Sequence, residues 1–192
     1  YWNRDGTRFE EGGAKAEVDD PLWAFGVVVG DLDNDGWADL YVCNWGPNRL
    51  YRNRADGTFD EIAGNVGAAG DARDWSTGAC LVDYDRDGDL VIDVAQYADV
   101  YDLLDRPDLT HVNGEGHVDG RSCEWRKMKV YGGPLGLRPL NDVLLKNLLR
   151  ETGVLRFENV SASAGITLPY TPQSATEQST GPYYGFQPIA WD

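Results

Sequence analysis

The sequence is poor in cysteine and has no long hydrophobic run. Its three cysteines, Cys43, Cys80 and Cys123, are an odd number in 192 residues and too few for a disulfide-stapled scaffold. Cys43 and Cys80 lie inside apolar stretches, which favours buried, unreactive side chains. No apolar stretch reaches the roughly 18 residues that a transmembrane helix needs. The sequence therefore argues against a disulfide scaffold and against a helical membrane span within this segment.

Basic residues are also scarce. The chain has 17 Lys and Arg against 32 Asp and Glu, a formal net charge of −15. A chain with this excess of negative charge is repelled by nucleic-acid phosphates and by anionic membrane surfaces. We therefore expect no nucleic-acid partner. Hydrophobic residues still make up 42%, including 7 Trp and 10 Tyr, which predicts a packed core and not a disordered acidic tail. The acid excess fits a protein that binds cations.

An internal repeat with an offset of 52 residues organises the chain. In the first copy an apolar stretch at 25–30 leads into an acidic loop that starts at Asp31, and in the second copy residues 77–82 lead into a loop that starts at Asp83. Trp23 and Trp75 stand eight positions before those aspartates. Since most of the tryptophans fall at repeat positions, we expect most of them in the core. Repetition at this period is typical of propellers and solenoids.

Each repeat unit predicts four short strands, which is one propeller blade. In the first copy the strands are expected at 25–30, 39–44, 49–53 and 58–62, with Gly57 in the turn before the last. Residues 142–149 have the apolar density of a helix, but the repeat register predicts a strand there. The predicted fold class is all-β: a partial β-propeller over 1–192, of about three four-stranded blades, with Asp-rich calcium loops between strands one and two. The repeats fall at about 1–53, 53–147 and 147–192.

The middle repeat carries an insertion. Leu50 follows Asp31 by 19 residues, whereas Leu144 follows Asp83 by 61, so about 42 residues are added between the second and third strands. The insertion covers 98–141 and includes His111 and His117. These two histidines flank Glu115, but a solvated, glycine-rich loop explains them better than a transition-metal site does, because no further ligand is fixed nearby. Long loops on a rigid scaffold often carry function, so we expect a protein or glycan partner to contact this insertion.

The first acidic loop has the pattern of a calcium site. Asp31, Asp33 and Asp35 alternate along a tight turn, Asp39 follows, and the carbonyl of Trp37 is placed to add a further oxygen. Several hard oxygen ligands on one loop suit Ca²⁺, which accepts six to eight of them. The loop is not an EF-hand, because its twelfth position is not Glu and no helices flank it. The alternative is an Asp-rich turn without metal, and the repetition of the pattern in register favours calcium.

The second loop is less complete. Its candidate ligands are the side chains of Asp83, Asp85 and Asp87 and the carbonyl of Asp89. Val91 stands where the first loop has Asp39, and Asp93 lies two residues further along the same strand face. Asp93 is the residue that would compensate. We expect a weaker or more hydrated calcium site here.

These motifs carry a family resemblance. The acidic loops resemble those of the FG-GAP or VCBS repeat propellers, and the run 50–59 (LYRNRADGTF) resembles the ASPIC/UnbV-associated, cartilage acidic protein-like group. Residues 132–137 also resemble a Cys-Gly-Pro-x-Gly-Leu segment of that group, with Gly132 in place of the cysteine, so the resemblance implies no local disulfide to Cys123. The resemblance implies an extracellular, periplasmic or cell-surface protein, and it is specific for fold but not for function.

The leading functional hypothesis is a non-catalytic calcium-binding module for adhesion, assembly or partner binding. The alternative is the propeller part of a secreted carbohydrate-active enzyme, a lyase or hydrolase, whose active site lies outside this segment. The repeat register also suggests that Asp192 is the first ligand of a third acidic loop and that Tyr1 begins in mid-blade. Closed propellers need four to eight blades, so we expect other segments or other chains to complete the ring.

Overall fold

The computed structural model describes residues 1–99 and 140–167 in full, and the backbone alone of 123–125, 128–130 and 138–139. Over these residues the regular secondary structure is almost entirely β-strand. The strands are β1 (Trp2–Asn3), β2 (Phe9–Glu10), β3 (Trp23–Gly30), β4 (Asp39–Trp45), β5 (Arg49–Asn53), β6 (Phe59–Glu61), β7 (Ser76–Val82), β8 (Val91–Gln96), β9 (Ala98–Asp99), β10 (Cys123–Trp125), β11 (Met128–Val130), β12 (Arg138–Pro139), β13 (Val143–Asn147) and β14 (Phe157–Asn159). Three single-turn helices are α1 (Gly13–Ala16), α2 (Ala63–Val66) and α3 (Leu149–Thr152).

Two four-stranded antiparallel sheets form the body of the described structure. Their strand orders are β3-β4-β5-β6 and β7-β8-β13-β14, each a meander in chain order, as in a propeller blade. Gly30 pairs with Asp39 and Val82 pairs with Val91, so each acidic loop joins the first strand of its sheet to the second. The predicted all-β, propeller-like architecture is confirmed, and the described sheets do not close into a ring.

The strand bounds follow the sequence closely. Strand β5 coincides with the predicted third strand, and β13 confirms a strand where apolar density alone suggested a helix. The first sheet extends from residue 23 to residue 61, and the second from 76 to 159. The repeat bounds predicted near 53 and 147 are different boundaries, because each lies at the end of the third strand of a sheet. Those repeat bounds stay a prediction.

The two blades pack through strands β3 and β7. A Cβ atom added to Gly26 would lie 2.9 Å from the carbonyl oxygen of Thr77, and one on Gly30 would lie 2.4 Å from a methyl group of Leu81. Glycine therefore permits the close approach of the two strands. The core between the blades consists of Leu32, Tyr41, Cys43, Leu50, Ala63, Ala68, Ala79, Ile92, Val94, Leu145 and Phe157.

Strands β8 and β13 are neighbours in the sheet, and the insertion joins them. Its ends pair with each other: Asp99 lies opposite Arg138 and Ala98 opposite Pro139. The insertion therefore begins and ends at a two-stranded stem. Inside it β10 pairs with β11, while His111, Glu115, His117 and the stretch 132–137 lie outside the described residues.

The prediction that most tryptophans are buried does not hold for the described ones, because Trp2, Trp23 and Trp37 are 39%, 71% and 51% exposed. Trp23 begins the edge strand β3 and meets only the ring edge of Trp45 among the described aromatic rings, with centroids 6.1 Å apart, whereas Trp37 lies in the first acidic loop. Trp45 and Trp75 do pack together between the blades, with ring centroids 5.3 Å apart.

The two described cysteine side chains differ in burial. Cys43 is fully buried, as expected, and burial raises the pKa of its thiol to about 12, which makes it unreactive. Cys80 is only half-buried on β7, so the expectation of full burial was wrong there. Among the described residues, no helix is long and apolar enough to cross a membrane.

Candidate metal centre

Loop one, residues 31–38 between β3 and β4, curls so that its first aspartate closes the turn. The carboxylate of Asp31 accepts hydrogen bonds from the backbone N–H groups of Asp35 (3.1 Å) and Gly36 (2.8 Å). Asn34 and Gly36 both have positive φ angles, 58° and 91°, which Asn and Gly tolerate best. The curl turns alternate side chains toward a common point.

Three carboxylates converge in loop one and its following strand. One carboxylate oxygen from each of Asp31, Asp33 and Asp39 lies within 4.8 Å of the other two. Asp39 is 1% exposed and lies on the buried side of this cluster. Its two carboxylate oxygens accept hydrogen bonds from the N–H groups of Leu32 and Asn53, both at 2.9 Å. These residues fit a hard divalent cation such as Ca²⁺, which prefers carboxylate and carbonyl oxygens.

Asp35 and Trp37, the other predicted ligands of loop one, lie outside this cluster of three. The carboxylate of Asp35 accepts the backbone N–H of Trp37 at 2.8 Å, so it supports the turn. Of the four aspartates that the sequence pattern singled out in loop one and at the start of β4, the structure brings three side chains together.

The electrostatics of loop one favour a cation. Burial raises the pKa of Asp33, and the neighbouring carboxylates of Asp35 and Asp31 raise it further. Burial likewise raises the pKa of Asp39, with smaller contributions from Asp33 and Asp35. A raised carboxyl pKa means that the negative charge is poorly compensated in the folded chain. A bound divalent ion would supply that compensation.

Loop two, residues 83–90 between β7 and β8, repeats the backbone of loop one. Asp83 accepts the N–H groups of Asp87 and Gly88, both at 3.1 Å, as Asp31 does in loop one. Arg86 and Gly88 have positive φ angles of 61° and 94°, the counterparts of Asn34 and Gly36. The carboxylates of Asp83, Asp85 and Asp87 again lie within 4.8 Å of one another.

Loop two differs from loop one in the buried residue that follows it and in the side chains that contact it. Val91 is buried at the position of Asp39 and offers no oxygen. Asp89, predicted to act through its carbonyl, is 1% exposed, and its carboxylate accepts hydrogen bonds from the Asn34 side chain (2.8 Å) and the Arg150 backbone (2.6 Å). The contact with Asn34 joins the two loops directly.

Glu151 is the residue that sequence reasoning missed. It lies on α3, and its carboxylate groups with those of Asp87 and Asp89 within 4.8 Å. The signal was present in the spacing: ten residues separate Asn147 from Phe157, whereas six separate Asn53 from Phe59. Those four extra residues form the helical turn that reaches loop two.

Asp93, the predicted compensating ligand, is not brought into either group of loop-two carboxylates. It lies in the middle of β8, opposite Cys80 on one side and Leu144 on the other. Burial raises its pKa, and the nearby carboxylate of Asp142 adds to the effect. Asp192, the remaining predicted ligand, lies outside the described residues.

Comparison with known proteins agrees with this architecture. A family model described as FG-GAP-like repeat matches residues 1–42 and 31–92, so both acidic loops fall within it. Cartilage acidic protein 1 of Xenopus tropicalis is 38% identical over 68 residues, which are 35% of this chain and 10% of that protein. The human protein of the same name is 36% identical over 80 residues, 41% of this chain and 12% of its own length.

The chain thus spans only about a tenth of the curated relatives that it matches. The family match and the two acidic loops coincide in residues 1–92, where the described strands form the first blade and the start of the second. Residues 1–92 therefore match FG-GAP-like repeats, in a chain that is similar to cartilage acidic protein 1 over part of its length.

Proposed function

We propose that this chain is a calcium-binding propeller module, stiffened by a metal ion in loop one, that presents its surface to a protein or glycan partner outside the cell. The observation that carries the proposal is the convergence of Asp31, Asp33 and the buried Asp39. Without a cation, these carboxylates would repel one another at a site that is partly shielded from water. With a cation, they would tie the first two strands of the blade together.

Calcium is favoured over other metals by the chemistry of the donors. The three side chains offer only carboxylate oxygens. Among the described residues, the group that they form contains no histidine or cysteine. Oxygen-only sites on flexible loops suit Ca²⁺, whereas Zn²⁺ and Cu²⁺ select nitrogen and sulfur. Magnesium demands a stricter octahedron and retains more water.

The extracellular location and the partner are inferred from the repeat and the surface. The FG-GAP-like repeat is an extracellular-type propeller module. On edge strand β3, Phe25, Val27 and Val29 are 46%, 62% and 57% exposed, a row of apolar side chains that another segment or chain would cover. The two ends of the insertion pair as strands β9 and β12, and its length supports the proposed role in contacting a partner.

A calcium titration of the full chain tests the proposal. Calorimetry in metal-free buffer should show calcium binding that Asp33→Asn weakens by about tenfold or more, because it removes a converging charged ligand. Asp56→Asn is the matched control: it removes the same charge from a turn outside the loop, where Asp56 accepts hydrogen bonds from Thr58. Equal calcium affinity in the two variants would contradict the proposal.

A different experiment distinguishes this proposal from the rival hypothesis, in which the propeller is attached to a carbohydrate-active enzyme. A polysaccharide depolymerisation assay on the whole natural protein would detect products if the enzyme hypothesis holds. Calcium binding by loop one is compatible with both hypotheses, so the titration does not decide between them.

A further inference from the structure

Loop two already contains a cation supplied by the chain. The ammonium Nζ of Lys146 lies 2.8 Å from a carboxylate oxygen of Glu151 and 3.3 Å from Oδ2 of Asp85. Its side chain is 23% exposed, so it is partly shielded from water. The hydrogen bonds to Glu151 and Asp85 raise the pKa of Lys146, so the ammonium stays charged at neutral pH. Lys146 in turn lowers the pKa of Glu151.

The equivalent residue of the first blade behaves differently. Arg52 and Lys146 occupy equivalent positions of the repeat, each directly before an asparagine of strand three, Asn53 and Asn147. Arg52 lies opposite Asp60 across the sheet and forms an ion pair with it at 3.3 Å. Glu158 lies opposite Lys146 across the sheet, as Asp60 lies opposite Arg52. The Lys146 ammonium nevertheless contacts Asp85 in loop two and Glu151 on α3. The lysine is therefore directed at the loop.

A second basic residue supports the same loop. The guanidinium Nε of Arg150 donates to the carbonyl oxygen of Asp87 at 2.7 Å, and the backbone N–H of Arg150 donates to Asp89 at 2.6 Å. These two contacts hold loop two against α3, and neither uses a carboxylate oxygen of Asp83, Asp85 or Asp87. Arg150 and Glu151 both lie on α3, within the four extra residues between the third and fourth strands of this blade.

We propose that Lys146 takes the place of a metal ion in loop two, so that the two acidic loops are neutralised by different cations. The proposal rests on loop one being a calcium site, as proposed above, for the comparison between loops. Loop two keeps the backbone of loop one, including the positive φ angles of Arg86 and Gly88, while Val91 removes the buried oxygen that Asp39 provides. A tethered ammonium supplies one positive charge and up to three hydrogen bonds, and it needs no full oxygen shell.

Calcium stoichiometry of the full chain tests this inference. Wild type should bind one calcium ion, and Lys146→Gln should bind two, because the loop-two carboxylates lose their internal counter-ion and become available. Arg52→Gln is the control at the equivalent position of the first blade, and it should add no binding event. If Lys146→Gln binds no more calcium than wild type, Lys146 does not stand in for a metal and the inference is wrong.

Two further variants keep the test decisive. Asp83→Asn should leave the calcium stoichiometry of wild type unchanged, and the loss of a binding event would overturn the inference even if Lys146→Gln does not fold. In an Asp33→Asn background, Lys146→Gln should still gain one calcium ion through loop two. A chain whose wild type binds no calcium, but which gains a site on Lys146→Gln, would refute the proposed function of loop one and support the role of Lys146.

Discussion

At the scale of the residue, the same position of the repeat carries either a buried carboxylate or a buried valine. Asp39 holds the N–H groups of Leu32 and Asn53 with its two oxygens, and it is also near enough to Asp31 and Asp33 to share an ion. Val91 packs into the apolar interior of the second blade. In the proposed account, this one difference between the repeats distinguishes a calcium site in loop one from a loop two whose counter-ion is Lys146.

Asp93 is the residue for which the structure makes the most specific stability prediction. Its folded-state pKa is raised above 3.8, first by burial and then by Asp142. The folded wild type therefore loses stability as pH rises from about 3.8 through the raised pKa. Asp93→Asn removes this charge, so its melting temperature should exceed that of wild type at pH 7 and converge with it below pH 4.

Melting curves of the two proteins across this pH range, recorded in chelator, make the measurement. Calcium affinity should be the same in both, because Asp93 is not among the loop-two carboxylates that lie close together. A variant that is less stable than wild type at pH 7 would contradict the predicted cost of the buried charge, and one that binds calcium more weakly would show that Asp93 has the ligand role first predicted from the sequence.

At the scale of the element, the contact between β3 and β7 depends on glycine. The Cβ of Gly26→Ala would press on the carbonyl oxygen and backbone of Thr77 and Gly78, which cannot rotate away as a side chain can. We expect this variant to lose about 1 to 3 kcal/mol of stability, the usual cost of overpacking.

Gly64→Ala is the matched control, since an added Cβ there meets nothing within 4 Å and the residue lies in the single turn α2. Chemical denaturation of both variants gives the comparison. Similar unfolding midpoints for Gly26→Ala and Gly64→Ala would mean that the two blades do not pack as closely as the structure shows.

The sequence predicted most of the elements because its signals were local and repeated. The strands and both acidic loops follow from period-two apolar stretches, alternating aspartates and a fixed offset of 52 residues. Lys146 and Glu151 were missed because their role depends on where a long side chain and an added helical turn point. The exposure of Trp23 was missed because burial depends on what lies beside an edge strand, which a repeat pattern does not specify.

At the scale of the whole molecule, the two acidic loops lie where the blades meet. Loop one and loop two contact each other through Asn34 and Asp89, and Asn147 of the second blade donates to the carbonyl of Leu32 in the first at 2.8 Å. A cation in loop one would therefore reinforce the junction between two blades as well as one turn. In a chain with a net charge of −15, it would also relieve part of the repulsion that opposes folding.

The most direct measurement of this account is the melting temperature of the full chain in excess calcium and in excess chelator. With calcium at about 100 times its Kd, ligand binding adds about 2.7 kcal/mol, which predicts a rise of about 5 to 10 °C for a domain of this size. Because the pKa values of Asp33 and Asp39 are raised, protons compete with calcium and the rise should shrink as the pH falls toward 4. Superimposable curves at pH 7 would contradict the claim that calcium in loop one stabilises this fold.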